Sequence, residues 1–199
     1  MTLHETIDSL HGAYEIRDAS FTDDSFSGDA RQLVFAGVTF TRCRLTDADL
    51  TGCEFSGCTF VSCDLSGAKL GDCFFSRTEM RSVKAVGAGF SRAILRDVTM
   101  TGCVMTMTNF TGAKWDHVTA AHTNFREASL SEIAMRQSEL RECDLSRAEV
   151  FRTRLNGMDL RDCILEGLAL SETLSELRGA TIDEMQAASL VRRLGITVK

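Results

Sequence analysis

The sequence predicts an all-β solenoid, in which the chain turns a corner every five residues and four such sides complete one square coil. Every fifth residue from 35 to 170 is apolar, 28 in succession, with no insertion or deletion. The residue two before each of them is smaller, mostly Ala, Cys, Val or Thr. A period of five fits neither the helix repeat of 3.6 nor the strand repeat of 2. A strict short repeat fixes the architecture.

The large apolar residue of each five, called the rung below, is predicted to point inward and to stack on the rung one coil later. Successive coils then lie at strand spacing and are joined by backbone hydrogen bonds. Each buried Phe or Leu stabilises the fold by roughly 1.5–3 kcal/mol relative to exposure. The aromatic rungs of the predicted core are Phe35, Phe40, Phe55, Phe60, Phe75, Phe90, Phe110, Trp115 and Phe125.

The position two after each rung is predicted to form the corner. Glycine tolerates the positive φ that such corners favour. Nine of the 15 glycines occupy this one position of the five. The chain contains no proline, which suits a fold that needs its backbone N–H groups for ladders.

All eight cysteines occupy the small inward position, two before a rung. They share that position with alanine and valine, so they are expected to behave as small buried hydrophobes. Disulfides and zinc sites need paired spacings on loops, which this pattern lacks. The sequence therefore predicts a reduced, cytoplasmic protein that holds no metal or other cofactor.

Residues 1–13 precede the repeat and are predicted to be a separate N-terminal segment. Thr2 and Glu5 have the spacing of a capping box, which would begin a short helix. That helix either covers the N-terminal mouth of the coil or is a frayed end, and the sequence favours neither. Phe21 and Phe26 lie in another phase of the five-count, so a short bulge over residues 27–31 is expected to restore the register.

The repeat is assigned to residues 14–177, and a C-terminal helix with its tail to residues 178–199. Thr181 and Glu184 have the spacing of a second capping box. Arg192 and Arg193 suit the negative end of the helix dipole, and Gly195 stands where a helix-terminating glycine is expected.

Several function classes are disfavoured. The net charge of −6 argues against direct binding of nucleic acid. The sequence has neither a charged leader followed by an apolar segment nor an apolar run long enough to span a bilayer, so neither secretion nor membrane spanning is expected. No nucleophile, phosphate-loop or metalloprotease motif occurs. His117 and His122 fall at outward corners without a pattern of orienting carboxylates, so the protein is predicted not to be an enzyme.

Several five-residue units match a known repeat, written roughly as A-(D/N)-L-x-x. They are residues 48–52 (ADLTG), 63–67 (CDLSG), 108–112 (TNFTG) and 143–147 (CDLSR). The chain thereby resembles the pentapeptide repeat family over residues 33–170. The resemblance implies a right-handed quadrilateral β-helix of pentapeptide repeats, here with a short C-terminal α-helix.

Cys-x-Phe units and a coil without loops further resemble the MfpA and Qnr branch of that family. This resemblance implies a DNA mimic that binds DNA gyrase or topoisomerase IV and protects it from fluoroquinolones or other topoisomerase poisons, giving antibiotic resistance. It also implies a homodimer built by the last coil and the C-terminal helix. The residues expected at that interface are Leu160, Leu165, Leu170, Leu174, Leu177, Met185, Leu190, Val191 and Leu194.

Charge supports that interpretation only locally. Residues 1–79 carry 13 acidic against 6 basic side chains, whereas residues 80–125 carry 2 against 5. A stack of about seven coils at ~4.8 Å is about 34 Å long, and duplex DNA of that length carries on the order of 20 charges. Mimicry would therefore depend on rod shape and on an acidic patch; otherwise the rod is a scaffold or adaptor for an unrelated protein partner. The expected patch is Asp47, Asp49, Glu54, Asp64, Asp72 and Glu79.

Overall fold

The structure is a computed structural model that describes residues 1–10, 14–193 and 195–198. The chain forms a four-sided β-solenoid followed by one short C-terminal helix, which confirms the predicted fold class. Four faces are named below by their first regular rungs: the Phe35, Phe40, Leu45 and Leu50 faces. The rung one full coil later always lies on the same face.

Strands occupy the Phe35 and Phe40 faces and pair in parallel in one twelve-stranded sheet. The other two faces are joined by isolated parallel bridges between tight turns. Two strands, β9 and β10, continue around the corner between the Phe35 and Phe40 faces. The strands are Glu15–Arg17 (β1), Ser20–Thr22 (β2), Val34–Ala36 (β3), Thr39–Thr41 (β4), Glu54–Ser56 (β5), Thr59–Val61 (β6), Phe74–Ser76 (β7), Glu79–Arg81 (β8), Ile94–Thr101 (β9), Lys114–Ala121 (β10), Ala134–Arg136 (β11) and Glu139–Arg141 (β12).

The first coil is one residue short. Asp29 pairs with Asp49 at the regular interval of one full coil. Phe21 pairs with Phe40, so the interval between these two residues is one residue shorter. The change of register falls between Phe26 and Asp29, within the stretch for which a bulge was predicted. The prediction of a bulge is wrong, because a bulge adds a residue, whereas the coil omits one at this corner.

The core is a single column of stacked side chains. All 28 rungs are buried except Met135, which is only partly buried. Phe35 and Phe55 stack with ring centroids 5.0 Å apart, and Phe90 and Phe110 at 4.6 Å. Offset-stacked rings at these distances contribute about 0.5–1.5 kcal/mol beyond their buried area. The predicted aromatic rungs therefore lie inside the coil.

The corners adopt the left-handed conformation that the glycine pattern predicts. Gly52 and Gly112, for example, have φ of +70° and +71°. Non-glycine residues take the same conformation at most of the remaining corners, among them Met107 at +56° and Asp47 at +57°. Each of these non-glycine corners carries a conformational cost of about 1–2 kcal/mol, which the stacked core offsets.

A short helix, Leu3–Asp8 (α1), closes the N-terminal end. The side chains of Thr2 and Glu5 form the capping box that their spacing predicts. Leu3 is buried in the core, and its backbone N–H donates to the carboxylate of Asp24 at 2.6 Å. Of the two alternatives for this segment, the structure shows the helix covering the mouth of the coil.

The C-terminal end is closed by a 3₁₀ turn, Ser175–Leu177, and by a helix, Glu184–Arg193 (α2). The predicted capping box of Thr181 and Glu184 is wrong by two residues. The box is made by Asp183 and Gln186, whose side chains each accept from the backbone N–H of the other. Gln186 also donates to the carbonyl groups of Leu160 and Cys163, which fixes the helix to the end of the coil.

Candidate partner-binding surfaces

The six carboxylates of the expected acidic patch do not share one face. Asp64 lies on the Leu45 face and Asp49 on the Leu50 face, and Asp47 stands at the corner between them. Glu54 lies on the Phe35 face. Asp72 stands at the corner that leads into the Phe35 face, and Glu79 lies on the Phe40 face. The structure thus brings three together near one edge and distributes the other three around the coil.

Four of the six are paired with a basic side chain. Asp49 and Asp64 lie 3.4 Å and 3.3 Å, respectively, from a lysine nitrogen one coil later, on Lys69 and Lys84. Arg92 forms a bidentate pair with Asp72, with its nearer contact at 2.6 Å. Glu79 pairs with its strand neighbour Arg81.

Hydrogen bonds from the paired arginines keep the Asp72 and Glu79 carboxylates ionised. They hold the pKa of each group below its ordinary value. The two side chains are 47% and 40% exposed, respectively, and solvent-exposed pairs of this kind stabilise a fold by at most about 1 kcal/mol. Among the described residues, Asp47 and Glu54 have no basic side chain within ion-pair distance. The outward charge is therefore mixed over most of the N-terminal coils.

The residues expected at a dimer interface fall into two groups. Leu160, Leu165, Leu170 and Leu190 are buried inside the chain's own core: the first three are rungs, and Leu190 lies on α2. Leu174 and Leu177 are partly buried against the same core.

Two of the remaining interface residues lie on the described part of α2. Met185 is 83% exposed there, and Val191 is partly exposed. Leu194 lies outside the described residues.

The cysteines have a structural role that the periodicity did not reveal. The thiol of Cys53 donates to the carbonyl group of Ala30 at 2.9 Å, and that of Cys73 to the carbonyl group of Leu50 at 3.0 Å, in each case one coil earlier. Thr78 makes the same bond to Phe55 through its hydroxyl group. Burial raises the pKa of Cys53 to about 12. All eight thiols are free and buried. The thiols of Cys53 and Cys73 satisfy inward carbonyl groups through the hydrogen bonds described above.

Sequence reasoning missed an interruption of the ladder near the C-terminal end. Both stretches involved are fully described, and no backbone–backbone hydrogen bond joins residues 133–142 to residues 153–162. One bond crosses this gap, from the Ile133 N–H to the hydroxyl oxygen of Thr153, at 2.9 Å. Strands β11 and β12 pair only with β10, on their N-terminal side. The same two coils stay joined on the other faces, where the Ile164 N–H donates to Cys143 at 2.9 Å. The coils therefore part on two adjacent faces, and this opening is called the cleft below.

The cleft contains two cavities. The larger, about 600 Å³, lies on the Phe40 face between residues 138–141 and 157–162. The smaller, about 280 Å³, lies on the Phe35 face between residues 132–135 and the side chains of Arg152 and Arg154. Met135, the one rung that is not buried, lines the smaller cavity.

Two oversized residues flank the cleft. Ile133 and Met158 occupy the small inward position, which elsewhere in the regular coils is mostly Ala, Cys, Val or Thr. Ile133 lines the smaller cavity and Met158 the larger one. Larger side chains at a close-packed position force neighbours apart at a typical cost of about 1–3 kcal/mol. Their size was the available sequence signal for the cleft, because the five-count itself continues unbroken.

Comparison with protein families agrees with this architecture. The family described as "Pentapeptide repeat region" matches residues 33–103 and 53–130, and "Pentapeptide repeats (8 copies)" matches residues 123–167. These matches together span more than half of the chain. The chain belongs to the pentapeptide repeat family.

Other pentapeptide repeat proteins of known structure are similar to it over much of its length. Full-length QnrB1, a plasmid-mediated fluoroquinolone resistance protein, is 18% identical, with 92% of this chain and 100% of that chain covered and a TM-score of 0.38. HetL, involved in heterocyst differentiation regulation in the cyanobacterium Nostoc sp. strain PCC 7120, is 20% identical over 92% and 98%, with a TM-score of 0.34. No curated protein sequence matches the chain.

The pentapeptide repeat solenoid is a scaffold typical of non-enzymatic proteins. Contrary to expectation, both corner histidines have a carboxylate neighbour: His117 lies 3.1 Å from Asp116, and His122 lies 3.2 Å from Glu142. Both histidines are about half exposed. Within the described ranges, no group of three or more His, Cys, Asp or Glu side chains is arranged to hold a metal ion. Neither described helix has the length and apolar character of a membrane span.

Proposed function

We propose that this pentapeptide repeat protein binds a type II topoisomerase, such as DNA gyrase or topoisomerase IV, and lowers its sensitivity to quinolones or other poisons. The observation that carries the proposal is a loop-free solenoid whose first coils are acidic, since residues 1–79 hold 13 acidic against 6 basic side chains. The choice of target follows from the resemblance of its Cys-x-Phe units to the MfpA and Qnr branch.

The charge distribution favours one part of the rod as the proposed contact surface. Asp47, Asp49 and Asp64 meet near the edge between the Leu45 and Leu50 faces, so this edge is the proposed mimic of a DNA backbone. Lys69 and Lys84 lie beside two of these carboxylates and reduce the local charge. Binding should therefore be weaker than duplex binding and should fall with added salt, because exposed charges are screened over about 8–10 Å.

Charge reversal on this edge tests the proposal. The triple variant Asp47→Lys, Asp49→Lys and Asp64→Lys should lose protection of gyrase supercoiling from a quinolone while remaining folded. A matched control reverses Glu127, Glu149 and Asp144, which hold the same coil positions four or five coils later. Equal activity of both triple variants, or a wild type that neither alters supercoiling nor relieves the quinolone at about micromolar concentration, would refute it. Direct binding of the wild type to DNA should be undetectable.

A homodimer built by the C-terminal end is part of the same proposal. Met185 and Ile196 are 83% and 53% exposed near that end, and large apolar side chains grouped on a surface mark interaction sites. Met185→Glu should give a monomer in sedimentation experiments. Met107→Glu, at another exposed methionine far from this end, should leave the assembly unchanged.

The second candidate is a scaffold or adaptor rod with an unrelated protein partner. The ion pairs of Asp49, Asp64, Asp72 and Glu79 favour it, because they give the N-terminal coils a surface of alternating charge. Such a surface suits a protein partner with its own mixed charges. A wild type that leaves gyrase unaffected in the assay above would support this candidate.

A further inference from the structure

The cleft presents the free edge of β11 and β12 to residues 153–162, which form no strand and make no backbone–backbone hydrogen bond to it. In the closed coils, the N–H group of Gly37 donates to Ser56 at 2.8 Å and that of Arg42 to Val61 at 2.8 Å, each one coil later. The corresponding bonds from Gln137 and Glu142 to the next coil are absent from these fully described stretches. An unpaired edge is a template for another extended chain.

A partner strand would also cover apolar side chains that line the cleft, of which Met135 is partly exposed and Met158 is 7% exposed. Met135 is the one rung that reaches solvent, and it lines the cavity on the Phe35 face. Met158 lines the cavity on the Phe40 face. Methionine adapts its shape to different neighbours and is common at surfaces that accept peptides.

Charge at the cleft differs between its two faces. On the Phe40 face, Arg141 pairs with Glu139, and Arg161 pairs with Asp159 at 2.6 Å, so these charges are already neutralised. On the Phe35 face, Arg136, Arg152 and Arg154 are opposed by Glu132 and, one coil earlier, by Asp116.

Two of those arginines are available to a ligand. Arg152 is occupied by Glu132 at 2.9 Å. Arg136 has only a 3.9 Å contact with Asp116, and among the described residues Arg154 has no carboxylate within ion-pair distance. This part of an otherwise acidic protein is locally positive.

We propose that the cleft binds an extended acidic peptide segment of a partner protein as an added β-strand. Backbone hydrogen bonds to the edge of β11 provide affinity, and Arg136 and Arg154 on the Phe35 face select acidic side chains. Alternate side chains of an extended peptide point the same way, so carboxylates at every second position reach Arg136 and Arg154. The site is at the opposite end of the rod from the proposed topoisomerase-binding edge, and either proposal can fail without the other.

Peptide binding to the full-length protein tests this inference. The probe is a fluorescein-labelled ten-residue peptide that alternates glutamate with valine or threonine, and the readout is fluorescence anisotropy. Two comparison peptides replace glutamate with lysine or carry N-methyl groups on alternate backbone nitrogens. Both changes should weaken binding at least tenfold, the first through charge and the second by removing strand hydrogen bonds. No binding at about 1 mM acidic peptide, or equal binding of the N-methylated peptide, would overturn the proposal.

The chain offers a closely matched control. Arg154→Glu should weaken binding at least tenfold, whereas Lys114→Glu should leave it unchanged. Lys114 holds the same position on the Phe35 face two coils earlier, where the ladder is closed on both sides. The double variant Ile133→Val and Met158→Cys, which restores small inward residues, should close the cleft and abolish binding. Equal effects of the two charge reversals would overturn the proposal.

Amide exchange identifies the occupant. The Met135 and Leu140 amides should exchange rapidly in the free protein and slowly with the acidic peptide, whereas Trp115 and Ala120, one coil earlier, should be protected throughout. Protection of Met135 and Leu140 that rises with protein concentration in the absence of peptide would show that a second copy fills the cleft, which would contradict the proposal.

Discussion

The closed coils and the cleft are built from the same five-residue unit but differ in how neighbouring coils are joined. Over the closed coils, the rungs on the strand faces are buried and are held by a continuous parallel ladder. Between residues 133–142 and 153–162, the rungs continue while the ladder stops. A repeat in the sequence therefore fixes where side chains point, and a separate condition decides whether coils stay hydrogen-bonded.

At the cleft, that condition is a large second inward residue on each of the two strand faces; Leu168, on another face, is accommodated with the ladder closed, and its neighbour Ala169 donates to Ala148 at 2.8 Å. Cys53 and Ala88 leave room for the opposite rungs, and their coils are joined on every face. Ile133 and Met158 occupy the equivalent positions beside the cleft. Because protein interiors are close-packed, the additional volume must be accommodated by displacement. Variants placed in one region or the other test this difference.

The largest effect should come from charge in the closed column. Phe55→Asp places an unpaired carboxylate among rings stacked at 5.0 Å and 4.9 Å, at a cost that exceeds the whole stability of a typical domain, about 5–15 kcal/mol. We expect no cooperative unfolding transition by circular dichroism. Thr59→Asp, at an outward position, should lower the melting temperature by no more than about 2–4 °C. Equal melting of the two variants would show that the inward register is wrong.

A methionine pair compares the two regions directly. Met100 is a fully buried rung in the closed coils, and Met135 is partly exposed at the cleft. Met100→Ala should reduce the free energy of unfolding by about 2–5 kcal/mol, because it leaves a cavity. Met135→Ala should cost only about 1 kcal/mol. Denaturant midpoints measure both, and equal losses would mean that the cleft is closed in solution.

Buried thiols make the closed coils sensitive to alkaline pH. Burial raises the pKa of Cys53 to about 12 and those of Cys58 and Cys103 to about 11. The folded state thus favours the neutral thiol, and this stabilisation is complete below the unfolded pKa of about 8.5. It is lost as pH rises through about 9 to 12, at about 1.4 kcal/mol per pKa unit for each thiol.

Replacement of the three thiols isolates their contribution. The variant Cys53→Ala, Cys58→Ala and Cys103→Ala should show a shallower loss of the free energy of unfolding between pH 9 and pH 11 than the wild type. Thiol titration provides a second measure. A bulky reagent at pH 8 should label few of the eight cysteines in the native protein and all of them after unfolding. Rapid native labelling of most thiols would contradict their placement.

The sequence predicted the solenoid almost completely, because one inward residue in five repeats without interruption. It predicted the aromatic column from Phe35 to Phe125 and the corner glycines for the same reason. Beyond the end of the five-residue repeat, the sequence predicted the structure less accurately. The capping box was placed at Thr181 instead of Asp183, since both residues have a suitable partner three positions later.

The candidate surfaces were less predictable, because they depend on neighbours one coil away. From the sequence alone, Asp49 is expected to have no basic partner, but Lys69 lies directly above it on the next coil. The sequence places Leu160 in a leucine-rich end of the coil and Leu190 in the apolar stripe of the following helix, and both are buried within the chain. The cleft had a signal only in the size of Ile133 and Met158, which a period of five does not measure.

The smallest effect concerns the corners and should differ in sign between the two regions. Met107, in the closed coils, has φ of +56° and is 55% exposed, so Met107→Gly removes about 1–2 kcal/mol of strain and little buried surface. The more flexible unfolded glycine chain opposes this by about 0.5–1 kcal/mol, leaving a net stabilisation of up to about 1.5 kcal/mol. Asp162, a corner residue beside the cleft, does not have a positive φ. Asp162→Gly therefore relieves no strain and should destabilise by about 0.5–1 kcal/mol. Denaturant midpoints at unchanged slope measure both, and changes of the same sign would show that the corners of the two regions share one conformation.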